Sequence, residues 1–307
     1  MVANAAARIR RFEISPALFR TLAITSATAL WLIVVSGATV RLTGSGLGCE
    51  SWPGCRAGQP FPEKDIHSFI EFGNRLVGGI VIVTTLVTAL AAFRLPALPR
   101  WARWTAVGVF VGTLAQAPLG ALTVRFDLNP YLVMTHFLLS AVVLGAAVVL
   151  VVAALGRERG SVPSPVPREL RVAAIAAAAG CLILLVTGTV ATAAGPHPGD
   201  SRKYHRVWEL QDAVFAHAVG TAIFGICFAF MLGYLVSRRS SAPRLLWLAL
   251  GVLGIVGVQI LVGAIQYHTH LPWWLVLVHV GTAATVWVGV VALAALFQRP
   301  LASLVRA

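Results

Sequence analysis

The stretch from Ile66 to Gly79, IHSFIEFGNRLVGG, places ionisable and polar side chains inside an otherwise apolar segment. Such groups are expensive in a membrane and often mark functional sites. On an α-helix, His67, Glu71 and Asn74 share one face, because positions i, i+4 and i+7 fall on successive turns. Glu71 and Arg75 also stand at i and i+4, so a self-neutralising structural ion pair is the alternative interpretation. The stretch is a candidate site for acid–base chemistry or for stabilisation of positive charge.

Three histidines lie inside apolar segments: His136, His217 and His279. His217 and His279 each lie about 7 or 8 residues below the outer end of their segments, which is on the order of 10 Å of depth. Two imidazoles at one level can clamp a planar metal cofactor, and an iron porphyrin needs only two axial ligands and an apolar slot. Zinc is disfavoured because the sequence offers no third or fourth ligand at that depth. This pair predicts a bis-histidine heme.

Composition identifies the elements that must position these residues. The 307 residues are 58% hydrophobic and only 11% charged, whereas a soluble domain has about 25% charged residues. Eight segments are long enough to cross a hydrocarbon core, which needs about 20 residues each. We predict them near residues 20–41, 67–93, 101–124, 130–155, 170–193, 210–236, 243–267 and 272–297. The sequence therefore predicts an all-α polytopic membrane protein with eight transmembrane helices.

The net charge of +13 could indicate a nucleic-acid ligand, but the distribution of charge indicates membrane topology instead. If both termini face the cytoplasm, the inner segments hold 16 of the 24 Lys and Arg residues and 3 of the 11 acidic residues. Such an excess of basic residues is the positive-inside pattern. We therefore predict a multi-pass protein of the plasma membrane with N-in, C-in orientation and no nucleic-acid partner.

The two halves of the chain are related by an internal repeat. An offset of 143 residues relates Gln116 to Gln259, Gly120 to Gly263, His136 to His279, and Asn74 to His217, and an offset of 151 relates Gly37 to Gly188 and Gly44 to Gly195. Repeats of four spans each have the same orientation in the membrane. We predict two tandem, pseudo-symmetric four-helix bundles, one in residues 1–155 and one in residues 170–307, joined by a proline-containing cytoplasmic linker at 156–169.

The repeat is broken at the histidine positions. His136 matches His279, but the counterpart of His217 is Asn74, and asparagine is a poor iron ligand. The N-terminal site would then have one protein ligand and an open face, with Glu71 one turn nearer the outside. A closed six-coordinate heme passes electrons, whereas an open site beside an acid suits chemistry on the bound porphyrin. Three arginines near the outer ends could receive heme propionates or act as interfacial anchors: Arg41, Arg75 and Arg125.

Two cysteines lie in the first outer loop. Cys49 and Cys55 are separated by five residues on the oxidising side, which is compatible with a disulfide and unlike the C-x-x-C pairs of zinc sites. Both a structural bridge and a redox-active pair remain open. Cys181 and Cys227 lie mid-span and are predicted to be packing residues.

At these residues the sequence resembles the heme A synthase family over essentially its whole length. The likeness rests on G-x-x-V-R-x-T-G-S-G-L-G-C followed by W-P-x-C between Gly37 and Cys55, on I-E-x-x-(H/N)-R-L from Ile70 to Leu76, and on the intramembrane histidines. It implies heme b as a cofactor between His217 and His279. It also implies heme O as substrate in the N-terminal half, with its C8 methyl group oxidised to formyl through successive hydroxylations to give heme A for terminal oxidases.

The resemblance also implies roles for individual residues. Glu71 corresponds to the family's glutamate, suited to proton transfer or to stabilising a cationic intermediate. The family usually has histidine at the position of Asn74, which leaves His136 as the expected iron ligand for the substrate. Asn74, His67, Arg75 and Gln116 are expected to line that site, with His67 roughly 10 Å further out along the helix than Asn74. Cys49 and Cys55 correspond to the family's loop cysteines.

The resemblance implies two protein partners, a heme O synthase (protoheme farnesyl transferase) and an external thiol–disulfide protein that would exchange with Cys49 and Cys55. The other histidines of the chain are expected at the interface rather than at iron: His197, His205, His268 and His270. Two other classes of protein share these features. One is a bis-histidine heme b cytochrome that transfers electrons without altering porphyrin, and the other is a transporter built from parallel repeats.

Overall fold

The computed structural model describes residues 13–49, 51, 54–56, 58, 61–62, 65–96, 98–161, 166–200, 207–237, 239, 243–301 and 304. Within these ranges the chain forms eight helices: α1 (Pro16–Leu42), α2 (Ile66–Ala92), α3 (Arg100–Arg125), α4 (Pro130–Arg159), α5 (Arg168–Ala194), α6 (Leu210–Ser237), α7 (Pro243–His268) and α8 (Trp273–Gln298). All eight are long and apolar enough to cross a membrane. The predicted all-α polytopic fold is confirmed, and every helix end lies within four residues of its predicted position.

Several helix starts are encoded by local capping residues. Ser15 caps α1 and Asn129 caps α4, and in both helices proline occupies the first turn, where its missing N–H costs nothing. Asp65 caps α2 because its carboxylate accepts the backbone N–H of Ser68 at 3.0 Å. This hydrogen bond lowers the pKa of Asp65 below its ordinary value. The cap fixes where α2 begins, and α2 carries the candidate acid.

The helix contacts support the predicted division into two bundles. In the N-terminal half, α1 packs on α2, α2 on α3, α3 on α4, and α4 back on α1; α5 to α8 form the same ring in the C-terminal half. The bundles meet where α8 packs on α1 and α4, and where α4 packs on α5. Trp287 donates to the carbonyl of Ala141 at 2.7 Å across this interface, and Trp31 donates to Thr285 at 3.2 Å. Within each ring, α2 and α4, and likewise α6 and α8, stand on opposite sides.

The backbone repeats the sequence duplication. The α3–α4 turn holds Asp127 and Leu128 in the left-handed region, with φ of 53° and 58°, and the α7–α8 turn holds His270 and Leu271 there, with φ of 63° and 57°. The second pair follows the first at the repeat offset of 143 residues. Non-glycine residues rarely adopt this conformation, so the same unusual turn at equivalent places supports a structural repeat.

The segment between the bundles is shorter than predicted. The sequence predicted a linker at 156–169, but α4 continues to Arg159 and α5 begins at Arg168. Glu158 explains part of the extension, because its carboxylate accepts from the guanidinium of Arg20 on α1 at 2.7 Å. Arg157 and Arg159 occupy the last turn of α4, where positive charge complements the helix dipole.

Glycines in the first outer loop allow close backbone packing at the outer ends of the helices. A Cβ on Gly48 would lie 2.6 Å from the carbonyl oxygen of His67, and a Cβ on Gly46 would lie 2.8 Å from the side chain of Leu128. The backbone N–H of Gly46 donates to the carbonyl of Gly199 at 2.9 Å. The run T-G-S-G-L-G therefore joins the start of α2 to the outer loops of both halves.

Candidate functional site

The predicted axial ligands of the C-terminal half face each other across its bundle. His217 on α6 and His279 on α8 have ring centres 6.3 Å apart, with the ring planes inclined at 74°. Two imidazoles bound on opposite sides of one metal ion place their ring centres roughly 6 Å apart, since each metal–nitrogen bond is about 2 Å and each ring nitrogen lies about 1 Å from the ring centre. The spacing fits axial ligation of one iron.

Each of these rings lies against a glycine of the preceding helix. A Cβ on Gly188 of α5 would lie 3.1 Å from Cε1 of His217, and a Cβ on Gly263 of α7 would lie 3.0 Å from Cε1 of His279. Both distances are shorter than ordinary van der Waals contact, so neither position accommodates a larger residue without moving the ring. The two glycines leave the space that the imidazoles occupy.

Hydrogen bonds orient the ring of His217 and hold the backbone of His279. The Thr187 hydroxyl donates to the carbonyl of Leu184 at 3.0 Å, so it accepts Nδ1–H of His217 at 3.3 Å, which leaves Nε2 free to bind a metal. On α8, the carbonyl of His279 accepts from Nε2 of Gln259 at 3.1 Å, and the Gln259 Oε1 accepts from Thr282. Within the described residues, no three His, Cys, Asp or Glu side chains cluster as a metal site. These residues fit a group held by two axial nitrogens, as heme is.

The N-terminal bundle reproduces half of this arrangement. His136 on α4 is half-buried, and a Cβ on Gly120 of α3 would lie 3.5 Å from its Cε1. Gln116 donates through Nε2 to the carbonyl of His136 at 3.3 Å and to Ser140 at 2.9 Å. In the described part of the chain, neither Nδ1 of His136 nor Oε1 of Gln116 has a hydrogen-bond partner, and both atoms are buried. Nδ1 of His279 is likewise unpartnered among the described residues, so the halves differ at the glutamine: Oε1 of Gln116 is unused, whereas Oε1 of Gln259 accepts from Thr282.

Asn74 on α2 stands at the position equivalent to His217 and has equivalent neighbours. Its Oδ1 accepts from the Ser36 hydroxyl at 2.7 Å, and a Cβ on Gly37 would lie 3.9 Å from that same oxygen. The offset of 151 residues relates Ser36 to Thr187 and Gly37 to Gly188. The surroundings of a histidine are thus retained around an asparagine.

Glu71 is buried and bound to the first outer loop as well as to Arg75. Its exposed fraction is 4%. One carboxylate oxygen accepts from Arg75 at 2.5 Å, and the other accepts the backbone N–H of Cys49 at 2.8 Å. Arg75 also donates to the carbonyls of Ser51 and Gly54, each at 2.7 Å. The i, i+4 ion pair considered from the sequence is present, and it also anchors the loop above α2.

The predicted disulfide is confirmed. Cys49 and Cys55 are bonded through their sulfur atoms and are both buried. The bridge closes the segment whose carbonyls Arg75 binds. The mid-span cysteines are free, with Cys181 buried and Cys227 half-buried, in line with their predicted packing role.

The remaining predicted residues occupy the outer ends of the helices. His67 is exposed, and its Nδ1 lies 2.9 Å from the Ser45 hydroxyl, one turn outside Glu71. His197 binds the carbonyl of Leu271 at 2.8 Å, which joins two outer loops. His268 and His270 are exposed, and His205 lies outside the described residues.

Arg41, considered from the sequence as a propionate ligand or an anchor, connects the two halves. Its guanidinium donates to the carbonyl of Thr192 at 2.8 Å and to that of His197 at 2.9 Å. Both carbonyls lie at the outer end of α5 or just beyond it, where helix carbonyls lack partners of their own. Arg41 therefore ties α1 to the C-terminal half.

Sequence reasoning missed the hydroxyl partners and the role of the glycines. Ser36 and Thr187 were not identified, although the offset that relates Gly37 to Gly188 also relates these neighbours. The glycines opposite the ligand positions were recognised as repeat-equivalent, but their contact with the rings depends on helix rotation.

The fold and the site define a class: a polytopic membrane protein of two tandem four-helix bundles, with a closed histidine pair in one bundle and a single histidine opposite asparagine in the other. The profile of the cytochrome oxidase assembly protein family (COX15-CtaA) matches residues 20–291. The chain belongs to this family, which confirms the predicted resemblance.

Relatives in this family are named heme A synthase. The chain is 32% identical over 125 residues to heme A synthase of Bacillus pumilus, covering 40% of each chain. It is 34% identical over 122 residues to that of Bacillus licheniformis, covering 39% of this chain and 40% of the relative. For Geobacillus thermodenitrificans the identity is 31% over 130 residues, covering 42% and 41%. The alignments span about two fifths of the length of these relatives.

Proposed function

We propose that this protein is a heme A synthase, an oxidoreductase that converts the C8 methyl group of heme O to a formyl group. Family membership and relatives of that name support the proposal. The observation that carries it is the difference between equivalent sites: His217 faces His279 at 6.3 Å, whereas Asn74 takes the place of His217 in the other bundle. One bundle suits a retained cofactor, and the other suits a substrate that must react and leave.

In the C-terminal half, residues 170–307, heme b would be held by His217 and His279. Bound there, it would accept and pass on electrons. Thr187 fixes the ring orientation of His217, and Gln259 holds the backbone of His279. Thr187 thus orients one imidazole directly, whereas within the described residues the ring of His279 has no hydrogen bond of its own and is positioned through its backbone and its contact with Gly263.

In the N-terminal half, residues 1–155, the iron of heme O would be bound by His136 alone. Gln116 braces His136 through its backbone carbonyl, and the unpartnered Oε1 of Gln116 leaves an acceptor for a polar group of the substrate. Asn74, Arg75 and His67 would line the rest of this site. A single protein ligand suits a substrate, because the product must be released for insertion into an oxidase.

Glu71 is the proposed catalytic residue. Its carboxylate is held in place by Arg75 and by the N–H of Cys49, so its orientation does not depend on substrate. A fixed carboxylate in a site with little water can stabilise positive charge that develops on the oxidised carbon, and it can accept the proton released there. Arg75 positions this carboxylate and the loop.

We place the protein in the plasma membrane with both termini in the cytoplasm and both heme sites toward the outer face, as the charge distribution predicts. Heme O synthase is the proposed source of substrate. An external thiol–disulfide protein is the proposed partner of Cys49 and Cys55.

The test is extraction and mass analysis of the porphyrins from cells that express the full chain together with a heme O synthase. We expect formylated heme A with the native chain and only farnesylated heme O with Glu71→Ala, while the absorption of the His217–His279 heme is the same in both. Recovery of unmodified heme from the native chain would instead favour the electron-transfer cytochrome. His268→Ala, which changes an exposed histidine at the outer end of α7, serves as the control.

A further inference from the structure

The environment of Asn74 indicates a role other than iron ligation. The Ser36 hydroxyl lies 2.7 Å from Asn74 Oδ1 but 3.3 Å from the carbonyl of Ile33, so its hydrogen is donated to Asn74. The oxygen of the Asn74 carboxamide is therefore the atom that faces Ser36, and the nitrogen points away from it. The Nδ2 group carries two hydrogens, and it has no hydrogen bond within the described part of the chain.

Asn74 cannot bind iron in the way that His217 can. At the equivalent position, the imidazole of His217 reaches toward His279 with its Nε2 free for a metal. The asparagine side chain ends one atom short of where an imidazole Nε2 would lie, and its nitrogen has no lone pair available for a metal. An iron bound by His136 would therefore receive no protein ligand from position 74, and its coordination position on that side would be left to a small ligand.

We propose that Asn74 is a hydrogen-bond donor to a small ligand, water or a diatomic gas, on the open face of the heme in the N-terminal half. This inference rests on the proposed function, because it requires an iron porphyrin between positions 74 and 136. Ser36 acts as the positioning residue, since it holds Oδ1 and so directs the Nδ2 hydrogens to the ligand. Donors on the distal side decide whether a heme binds small ligands and how tightly.

The reciprocal exchange of the two side chains tests this assignment, with carbon monoxide as the probe. The full-length protein is saturated with iron porphyrin in detergent and reduced, and CO binding is followed by visible difference spectra. We expect the native chain, with two hemes, to bind one CO. Asn74→His should lose this binding, because Gly37 and Ser36 reproduce the surroundings that Gly188 and Thr187 give His217. His217→Asn should gain a second CO site.

The C–O stretching frequency shows whether Asn74 donates a hydrogen bond to the bound CO or only leaves room for it. Asn74→Leu keeps a side chain of similar size but removes the donor, so CO should still bind, with its stretching frequency shifted upward. Ser36→Ala frees the carboxamide to rotate, and we expect the native C–O band to broaden or split. Thr39→Ala removes a hydroxyl on the same helix that donates to the carbonyl of Val35, and it should leave the band unchanged.

The inference is overturned if the native chain retains one heme only, if it fails to bind CO, if Asn74→His still binds one CO, or if Asn74→Leu has the native C–O frequency. Porphyrin extraction from the same preparations separates this from the proposed function. Heme A formation without the expected CO behaviour would remove the role of Asn74 alone. The expected CO behaviour without heme A formation would remove the proposed function alone.

Discussion

The Glu71 carboxylate and the Arg75 guanidinium lie 2.5 Å apart on successive turns of α2, and each also binds the backbone of the loop closed by Cys49 and Cys55. The pair is therefore both an ion pair and the anchor of that loop. A buried pair of this kind is costly to break from one side, because the remaining charge has no partner.

Arg75→Lys should separate the structural function of this pair from its chemical function. Lysine keeps the positive charge but cannot bind Glu71 and two carbonyls in the fixed geometry of a guanidinium, so we expect a loss of about 2 kcal/mol in stability, with heme A formation per folded molecule lowered far less than in Glu71→Ala. Glu71→Ala should lower heme A formation by at least about a hundredfold in the protein that remains folded. Thermal unfolding and porphyrin analysis of the same samples measure both. Equal loss of activity per folded molecule in the two variants would assign Glu71 a structural role only.

Gly263→Ala should displace His279. The added Cβ would lie 3.0 Å from Cε1 of the imidazole, and overpacking of this kind costs about 1–3 kcal/mol, which corresponds to a loss of roughly 5- to 150-fold in heme affinity. The visible spectrum should lose the signal of the closed heme while that of the N-terminal half persists.

Gly257→Ala on the same helix is the matched control, since nothing lies within 4 Å of its Cβ position. Alanine has the higher helix propensity, so this variant should be neutral or slightly stabilising. If both glycine variants kept the native spectrum, His279 would not be held by contact with Gly263.

Arg41→Ala should weaken the attachment of α1 to the C-terminal half. Loss of the charge-assisted hydrogen bonds to the carbonyls of Thr192 and His197 leaves the Thr192 carbonyl with the N–H of Gly195, and we expect the loss to cost about 2 kcal/mol. Thermal unfolding in detergent measures the effect, and Arg125→Ala, an exposed arginine in the last turn of α3, is the control. Equal unfolding temperatures for the two variants would contradict the tie between the halves.

Asp65→Asn should show a pH-dependent difference from the native chain. The Ser68 N–H lowers the pKa of Asp65, so the ionised carboxylate stabilises the cap above the ordinary carboxyl pKa. That contribution is lost as pH falls through the lowered value. Unfolding temperatures of the two chains should therefore differ at pH 7 and converge on acidification. A difference that is constant across this range would show that the charge on Asp65 contributes nothing.

Most of the architecture follows directly from the sequence. A membrane interior admits long apolar helices with internally satisfied backbones, so hydropathy alone located all eight spans. The 143-residue repeat and the disulfide between Cys49 and Cys55 were also predictable. The end of α4 was missed because an ion pair between Arg20 and Glu158 extends a charged segment that hydropathy excludes.

The pairing of side chains between helices was decided only by the tertiary structure. Spacing along one helix predicted that Glu71 could meet Arg75, but not that the loop backbone would bind both. Likewise, the repeat related Asn74 to His217, whereas the bonds to Ser36 and Thr187 depend on how neighbouring helices rotate and how closely glycine lets them approach. Hydropathy fixes which segments become helices. The contacts between the helices arise from packing in three dimensions. Rotating a helix about its axis by one residue would give each of its side chains a different partner on the neighbouring helices.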